Sequence, residues 1–213
     1  MAEATVKTLR DVMRIAGESL ASQDEIDAWE SDHARQQREE LIQLSGIGEV
    51  LGLGGADVVV ADRCLETKAL CFVRQWLASR RPMLILFGSK GLGKTVAAGW
   101  ALSRMAGRYI EAQALCTMRR DHFGGPSEAY ERALRSGLLV VDELGAEANV
   151  SDALATLHDV VNRRQRMPRR TLLMGNLDRA SFLARYDERT VDRLREIAVV
   201  RRVKGESMRR GAL

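Results

Sequence analysis

From residue 83 onward, short runs of consecutive apolar residues alternate with amphipathic stretches. The runs at 138–141 and 172–174 contain no interspersed polar positions, which is typical of parallel strands covered by helices on both faces. The alternation predicts an α/β fold with a doubly wound, parallel five-stranded sheet flanked by helices. The predicted strands are 83–87, 108–112, 138–142, 171–176 and 197–203, and the predicted helices are about 94–106, 113–120, 127–136, 151–166, 179–184 and 188–196.

The segment before this domain has a different pattern. Residues 3–44 are strongly charged, with apolar positions such as Val6, Leu9 and Leu41 at helical spacing, which predicts amphipathic helices. A glycine-rich stretch follows and is predicted to be a flexible linker, and a helix from about 62 to 79 leads to the first strand. The predicted organisation is an N-terminal helical arm at 1–45, a linker at 46–57 and the α/β domain at 58–213.

Composition restricts the compartment and the class of protein. A chain of 213 residues can bury one full α/β core, and no apolar run approaches the length of a membrane span. The charged N-terminus does not resemble a secretory signal. Cys64, Cys71 and Cys116 form no C-x-x-C pair, which favours reduced thiols. These features predict a cytoplasmic protein with no membrane partner.

Charge is distributed unevenly along the chain. The formal net charge is +4, but residues 163–213 carry fifteen Lys/Arg against six Asp/Glu, and 28 of the 33 basic residues are arginine. Arginine suits bidentate contacts with phosphate or carboxylate, so a nucleic acid or an acidic partner is one interpretation. A solvated surface in an arginine-rich proteome explains the composition equally well.

The loop after the first predicted strand satisfies the phosphate-binding pattern G-x-x-x-x-G-K-[ST]. Glycines allow backbone N–H groups to converge on phosphate oxygens, and the following helix contributes its positive N-terminal end. Lys94 would contact the β- and γ-phosphates, and the Thr95 hydroxyl would bind Mg²⁺. The alternative is an ordinary glycine turn. The candidate ATP-binding residues are Gly88, Ser89, Lys90, Gly91, Leu92, Gly93, Lys94 and Thr95.

Two carboxylates follow the apolar run at 138–141 and have the Walker B arrangement. Asp142 would hold the Mg²⁺ hydration shell together with Thr95, and Glu143 would orient and deprotonate the attacking water. The alternative is a pair of acids at a turn. An adjacent glutamate favours hydrolysis over phosphoryl transfer to a small molecule, because kinases must exclude water.

Asn176 ends the strand that follows Walker B in the sequence. An asparagine after a glycine is most often a turn residue. At this position its amide is also a candidate to contact the γ-phosphate or the attacking water.

Together these motifs resemble the DnaC/IstB group of AAA+ ATPases, which contains replicative-helicase loaders and ATP-dependent transposition helpers. The resemblance covers about residues 58–210. Its more distinctive parts are the segment 187–194, which reads DERTVDRL, and the segment 203–210, which reads VKGESMRR. Met208 departs from the aromatic residue that the family usually has there.

The resemblance implies an AAA+ fold and a homo-oligomer in the ATP state. Because the chain ends soon after its last predicted strand, we expect no C-terminal helical lid. The resemblance also implies that Asn176 is the sensor 1 residue, and that Arg193 or, second, Arg189 supplies an arginine finger to the neighbouring subunit's ATP. The alternative for either arginine is a surface helix with intrahelical ion pairs. The implied cofactors are ATP and Mg²⁺.

For a helicase loader, the arm would bind the replicative helicase, with Trp29 as an anchor or packed on its own domain. Single-stranded DNA would be held by arginines and an aromatic side chain. A transposition helper acting on duplex DNA with a transposase is the alternative, and a metabolic kinase is a more distant one. Candidate DNA contacts are Arg119, Arg120 and Phe123, and a second group contains Arg163, Arg164, Arg166, Arg169 and Arg170, for which a solvated helix end is an equal explanation.

Overall fold

Five parallel strands form the sheet that the apolar runs predict. The computed structural model describes residues 23–120, 126–167 and 169–208. The order across the sheet is β2-β3-β4-β1-β5, and every pairing is parallel. The predicted fold class is therefore confirmed. The strands are β1 (Met83–Phe87), β2 (Gly107–Glu111), β3 (Leu138–Leu144), β4 (Arg170–Gly175) and β5 (Ala198–Arg202).

Helices cover both faces of the sheet. Leu84 and Leu86 of β1 belong to one apolar cluster, whereas Met83, Ile85 and Phe87 belong to the other, as the alternation of side chains along a strand requires. In the described part of the chain, no helix is both long enough and apolar enough to cross a bilayer. The helices are α1 (Gln23–Ser45), α2 (Gly48–Val60), α3 (Lys68–Ala78), α4 (Lys94–Leu102), α5 (Ala112–Arg120), α6 (Glu128–Arg135), α7 (Val150–Arg166), α8 (Arg179–Arg185) and α9 (Glu188–Ile197).

The carboxyl ends of β1, β3 and β4 meet at one edge of the sheet. Phe87 is in register with Gly175, and Gly175 is also in register with Leu144 after an irregularity in β3. Because the strands are parallel, the loops that follow them emerge on the same side. This arrangement brings the three sequence motifs to one place.

The glycine-rich stretch predicted as a flexible linker is helical, so that part of the prediction is wrong. It forms α2, which is interrupted at Gly52, where φ is +66°. Val59 and Val60 are buried, and a Cβ added at Gly99 of α4 would lie 2.8 Å from Leu51. Packing against the domain stabilises a helix that glycine content alone disfavours.

The helix expected from about 62 to 79 begins later, at Lys68. Thr67 is its N-cap, because its side-chain oxygen accepts the Leu70 N–H at 3.1 Å. The residues before it form a turn and a segment without regular secondary structure.

The described part of the arm packs on the α/β domain. Ile42 and Ile47 are buried in the same cluster as α4, and Arg38 donates to the Val60 carbonyl at 2.7 Å. Arg108 of β2 donates to the Leu44 carbonyl at 2.6 Å. The apolar positions before residue 23 lie outside the described residues. The division into arm and ATPase domain stays a prediction.

Arg164 is fully buried and has a structural role rather than the DNA contact considered above. Its guanidinium donates to the carbonyls of Leu134, Ser136, Gly137 and Arg170 and to the Thr171 hydroxyl. Burial lowers its pKa to about 10. The side chain thus caps the C-terminal end of α6 and connects it to β4.

Replacing Arg164 by methionine should lower the free energy of unfolding by about 3–5 kcal/mol, because several buried carbonyls would lose their donor. Urea unfolding followed by circular dichroism measures the loss. The matched control is Arg163→Met, which removes a bidentate pair with Glu131 and a longer ion pair with Asp159, both partly exposed to solvent, and should cost no more than about 1 kcal/mol. Equal losses in the two variants would contradict the capping role.

Candidate active site

Lys94 lies at the start of α4 with its ammonium group nearly buried. Its Nζ donates to the carbonyls of Gly88 at 2.7 Å and Ser89 at 2.9 Å, and to Asn176 Oδ1 at 3.2 Å. The residue is 7% exposed. A buried ammonium needs such oxygen partners, and phosphate oxygens at the same place would serve as well.

The loop before Lys94 has the backbone of an anion site. Gly91 and Gly93 have φ of +81° and +77°, which a residue with a Cβ rarely adopts. Gly93 is the N-cap of α4 and provides no side-chain cap. The positive end of the helix dipole lies at this loop and favours a negatively charged ligand there.

Thr95 and Asp142 come from different elements and meet beside this loop. The Thr95 hydroxyl donates to Asp142 Oδ2 at 3.3 Å, and the Glu143 N–H donates to Asp142 Oδ1 at 2.7 Å. Hydroxyl and carboxylate oxygens are hard metal ligands, and such a pair suits a Mg²⁺ ion that is also bound by substrate phosphates.

Asn176 connects the two halves of the site. Its amide oxygen accepts the Lys94 ammonium, and its Nδ2 donates to Glu143 Oε2 at 3.4 Å. One side chain thus contacts both the candidate phosphate-binding residue, Lys94, and the candidate base, Glu143. The structure places Lys94, Thr95, Asp142, Glu143 and Asn176 around one pocket, which also includes residues 90–93, Val96 and Met208.

Glu143 has an unusual backbone conformation. Its φ is +57°, in the left-handed region, and Gly145 follows with φ of +94°. A non-glycine residue there costs on the order of 1 kcal/mol and is commonly found where a side chain must be aimed. The conformation places the Glu143 carboxylate beside Asn176 at the mouth of the pocket.

The segment 203–208 after β5 lies across the phosphate loop. The Val203 N–H donates to the Phe87 carbonyl at 2.7 Å, and the Met208 N–H donates to the Gly91 carbonyl at 2.9 Å. A Cβ added at Gly91 would overlap the Ser207 hydroxyl. Glycine at this position therefore allows both the positive φ and the close approach of the C-terminal segment.

Comparison with solved structures places this arrangement among known folds. The chain aligns with the crystal structure of the DnaC helicase loader at a TM-score of 0.54 and 22% identity, covering 64% of this chain and 89% of that one. The crystal structure of DnaI aligns at a TM-score of 0.54 and 19% identity, covering 64% of this chain and 84% of that one. The structure of AMPPCP-bound DnaA from Aquifex aeolicus aligns at a TM-score of 0.53 and 16% identity, covering 67% of this chain and 49% of that one.

The chain shares its fold with the structures of DnaC, DnaI and DnaA. At these identities the similarity concerns the fold alone. No protein-family model matches the sequence, and the search of curated proteins finds no match. The likeness to DnaC and DnaI supports the AAA+ resemblance drawn from the motifs.

Arg189 and Arg193 lie on α9 of the α/β domain. Arg189 is exposed and Arg193 is partly buried. Neither is among the described residues that line the phosphate pocket of their own chain. The N-cap of the helix is Asp187. Burial alone would raise the pKa of the Asp187 carboxyl, but the hydrogen bonds from Thr190 have the larger combined effect, so the pKa is lowered. The finger role of both arginines stays a prediction.

A buried ion pair connects the C-terminal end of α8, just before α9, to the Walker B loop. Glu147 accepts the Gly145 N–H at 2.9 Å, the Arg185 guanidinium at 2.9 Å and the Tyr186 hydroxyl at 3.1 Å. The Glu147 side chain is 2% exposed. Because Tyr186 directly precedes the N-cap of α9, this cluster fixes the base of the helix relative to Glu143.

The DNA candidates Arg119 and Arg120 have partners within the chain. Arg119 donates to the Thr156 hydroxyl at 3.0 Å, and Arg120 forms a 2.5 Å ion pair with Asp152. Phe123 and the side chain of Trp29 lie outside the described residues. In the second group, Arg170 donates to four carbonyls at the end of α3 and the turn after it, which is a structural role like that of Arg164.

Three contributors to the site were not predicted from the sequence. Glu147 acts through a buried contact with α8, and Met208 reaches the pocket only because the C-terminal segment folds back. Tyr109 contacts Asp142 from the neighbouring strand. The only sequence signal for Tyr109 is a hydroxyl-bearing residue at a core-facing strand position.

Proposed function

We propose that this chain is a Mg²⁺-dependent ATPase that acts as a helicase loader in DNA replication, assembling on single-stranded DNA and delivering a replicative helicase. The observation that carries the ATPase part is the contact series from Lys94 through Asn176 to Glu143, beside the Thr95–Asp142 pair. The loader part is supported by the fold shared with the DnaC helicase loader and by the sequence motifs at 187–194 and 203–210.

Each residue has a role that its position explains. Lys94 and the loop N–H groups would bind the β- and γ-phosphates, replacing the internal contacts that Lys94 makes with carbonyls. Thr95 and Asp142 would hold Mg²⁺, which neutralises phosphate charge when bound. Glu143 would take the proton of the attacking water, and Asn176 would orient that water or the γ-phosphate.

Replacing Lys94 by alanine should weaken ATP affinity about ten- to hundredfold, the effect of losing a charge-assisted hydrogen bond. Fluorescence titration with a mant-labelled ATP measures the affinity. Lys68→Ala is the matched control, because Lys68 is an exposed lysine at the start of another helix, α3. Unchanged affinity in Lys94→Ala would show that the loop does not bind the phosphates.

The partners require a separate test. Assembly in the ATP state would place α9 of one subunit against the pocket of the next, and the arm would contact the helicase. Glu30 and Asp32 are exposed on α1, away from Ile42, which packs on the domain. The double charge reversal Glu30→Lys/Asp32→Lys therefore changes the outer part of the arm and leaves its packing intact.

The experiment is a binding assay with the purified replicative helicase of the same host and, separately, a transposase. The loader proposal expects helicase binding that weakens at least about tenfold in the double variant and persists in Glu128→Lys, a charge reversal at an exposed position of α6. Binding to the transposase in place of the helicase would favour the transposition helper. Binding to neither would contradict both.

A further inference from the structure

Tyr109 donates a hydrogen bond to the carboxylate that the site needs for Mg²⁺. Its hydroxyl lies 2.9 Å from Asp142 Oδ2, closer than the Thr95 hydroxyl at 3.3 Å. The other oxygen, Oδ1, accepts the Glu143 N–H at 2.7 Å. The carboxylate is thus fixed by a backbone donor on one oxygen and chiefly by Tyr109 on the other.

The register of β2 and β3 explains this contact. Tyr109 is opposite Val140, and Glu111 is opposite Asp142. Tyr109 therefore lies two residues below Asp142 along the sheet, on the same face, and the length of the phenol ring brings its hydroxyl up to the carboxylate. No smaller hydroxyl side chain would span this separation.

The surroundings keep Tyr109 in place and protonated. The residue is 9% exposed and belongs to the apolar cluster that includes Ile42 and Ile47 of the N-terminal helices. Burial and, next, the neighbouring Asp142 raise the pKa of its hydroxyl. The hydroxyl remains a donor at any physiological pH.

We infer that Tyr109 is a positioning residue, which holds the Asp142 carboxylate in the orientation that binds Mg²⁺ beside Thr95. The inference rests on the proposed function, because it concerns the same site. Tyr109 does not contact substrate and acts through Asp142. Donors that orient a metal-binding carboxylate commonly change metal affinity by 10- to 100-fold when removed, which sets the scale of the effect as about tenfold or more.

The chain provides a matched control. Tyr130 is also a buried tyrosine whose hydroxyl donates to an aspartate, Asp159 Oδ2, at 2.8 Å. It belongs to α6 and contacts α7, and it does not line the pocket. Tyr109→Phe and Tyr130→Phe therefore remove the same kind of bond. Phenylalanine preserves the ring in both, so the cores remain filled.

The test is a titration of mant-ATP binding with MgCl₂, compared with binding in EDTA, for the two variants and the original protein. Tyr109→Phe should raise, by about tenfold, the Mg²⁺ concentration at which Mg²⁺ has half of its full effect on mant-ATP binding. The affinity of Tyr109→Phe for mant-ATP in EDTA should stay unchanged. The Mg²⁺ midpoint of Tyr130→Phe should also stay unchanged. Circular dichroism confirms that both variants are folded.

The outcomes separate the two proposals. If the original protein binds mant-ATP with a Mg²⁺ dependence and Tyr109→Phe has the same midpoint, or Tyr130→Phe shifts equally, the positioning role is overturned while the ATP site stands. If the original protein binds no mant-ATP, the proposed function fails, and the role of Tyr109 fails with it.

Discussion

Glu143→Gln should bind ATP with an affinity within about threefold of the original protein and hydrolyse it roughly 10²–10⁴ times more slowly. Glutamine has the size of glutamate and retains an oxygen that can accept the Asn176 amide. It cannot take a proton from water. The substitution therefore removes one chemical step and leaves the phosphate contacts in place.

Two measurements are needed: mant-ATP affinity and phosphate release under single-turnover conditions. Glu111→Gln is the matched control, since Glu111 is exposed at the end of β2, in register with Asp142. It should keep its turnover. Normal phosphate release from Glu143→Gln would mean that another group activates the water.

The strained backbone at Glu143 makes a second substitution informative. With φ of +57°, this position favours glycine or asparagine on backbone grounds alone. Glu143→Asn should therefore stabilise the fold slightly or leave it unchanged, yet lose turnover like Glu143→Gln. Such a result would show that the glutamate is retained for chemistry at the expense of local stability.

The location of the site was predictable because parallel strands place their carboxyl ends on one edge. The phosphate loop, the Walker B acids and Asn176 each follow an apolar run, so their convergence needs only the fold class. The contact of Asn176 with both Lys94 and Glu143 follows from β4 lying between β1 and β3. That strand order is not encoded in any local pattern.

Features that depend on distant packing could not be predicted. The stretch at 46–57 has the glycine content of a linker, and it is helical because Leu51 and Val59 pack against Gly99 of α4. From the sequence, the basic residues near the end of α7 fit a nucleic-acid surface or a solvated helix end equally well. One of them, Arg164, is buried among carbonyls that are distant in sequence. A single sequence contains no local signal for such contacts.

The second large effect concerns the arginine proposed to act on a neighbouring subunit. Arg193→Ala should retain ATP binding, because Arg193 does not line the pocket of its own chain. The rate of assembly-stimulated ATP hydrolysis should fall by a factor of about 10³–10⁵. Arg195→Ala is the control on the same helix, since Arg195 is exposed in an ion pair with Asp192. It should hydrolyse ATP at close to the original rate. Arg189→Ala tests the second candidate in the same way.

Mixing experiments distinguish action on a neighbour from damage to the subunit itself. Arg193→Ala subunits have an intact pocket, and Glu143→Gln subunits have an intact finger, so neither should hydrolyse ATP alone. In a mixture of equal parts, about one interface in four pairs the intact pocket with the intact finger. Turnover should therefore reappear in the mixture and scale with that fraction as the ratio is varied.

The anchoring of α9 determines how the result is interpreted. Glu147, Arg185 and Tyr186 tie the base of this helix to the Walker B loop, so a disturbed α9 could impair the pocket of its own chain. Such damage would stay with the variant subunit, and mixing would restore nothing. Recovery in the mixture thus requires that Arg193 acts across an interface. Failure to recover, with ATP binding intact in both variants, would assign the arginine to its own subunit and contradict the proposed assembly.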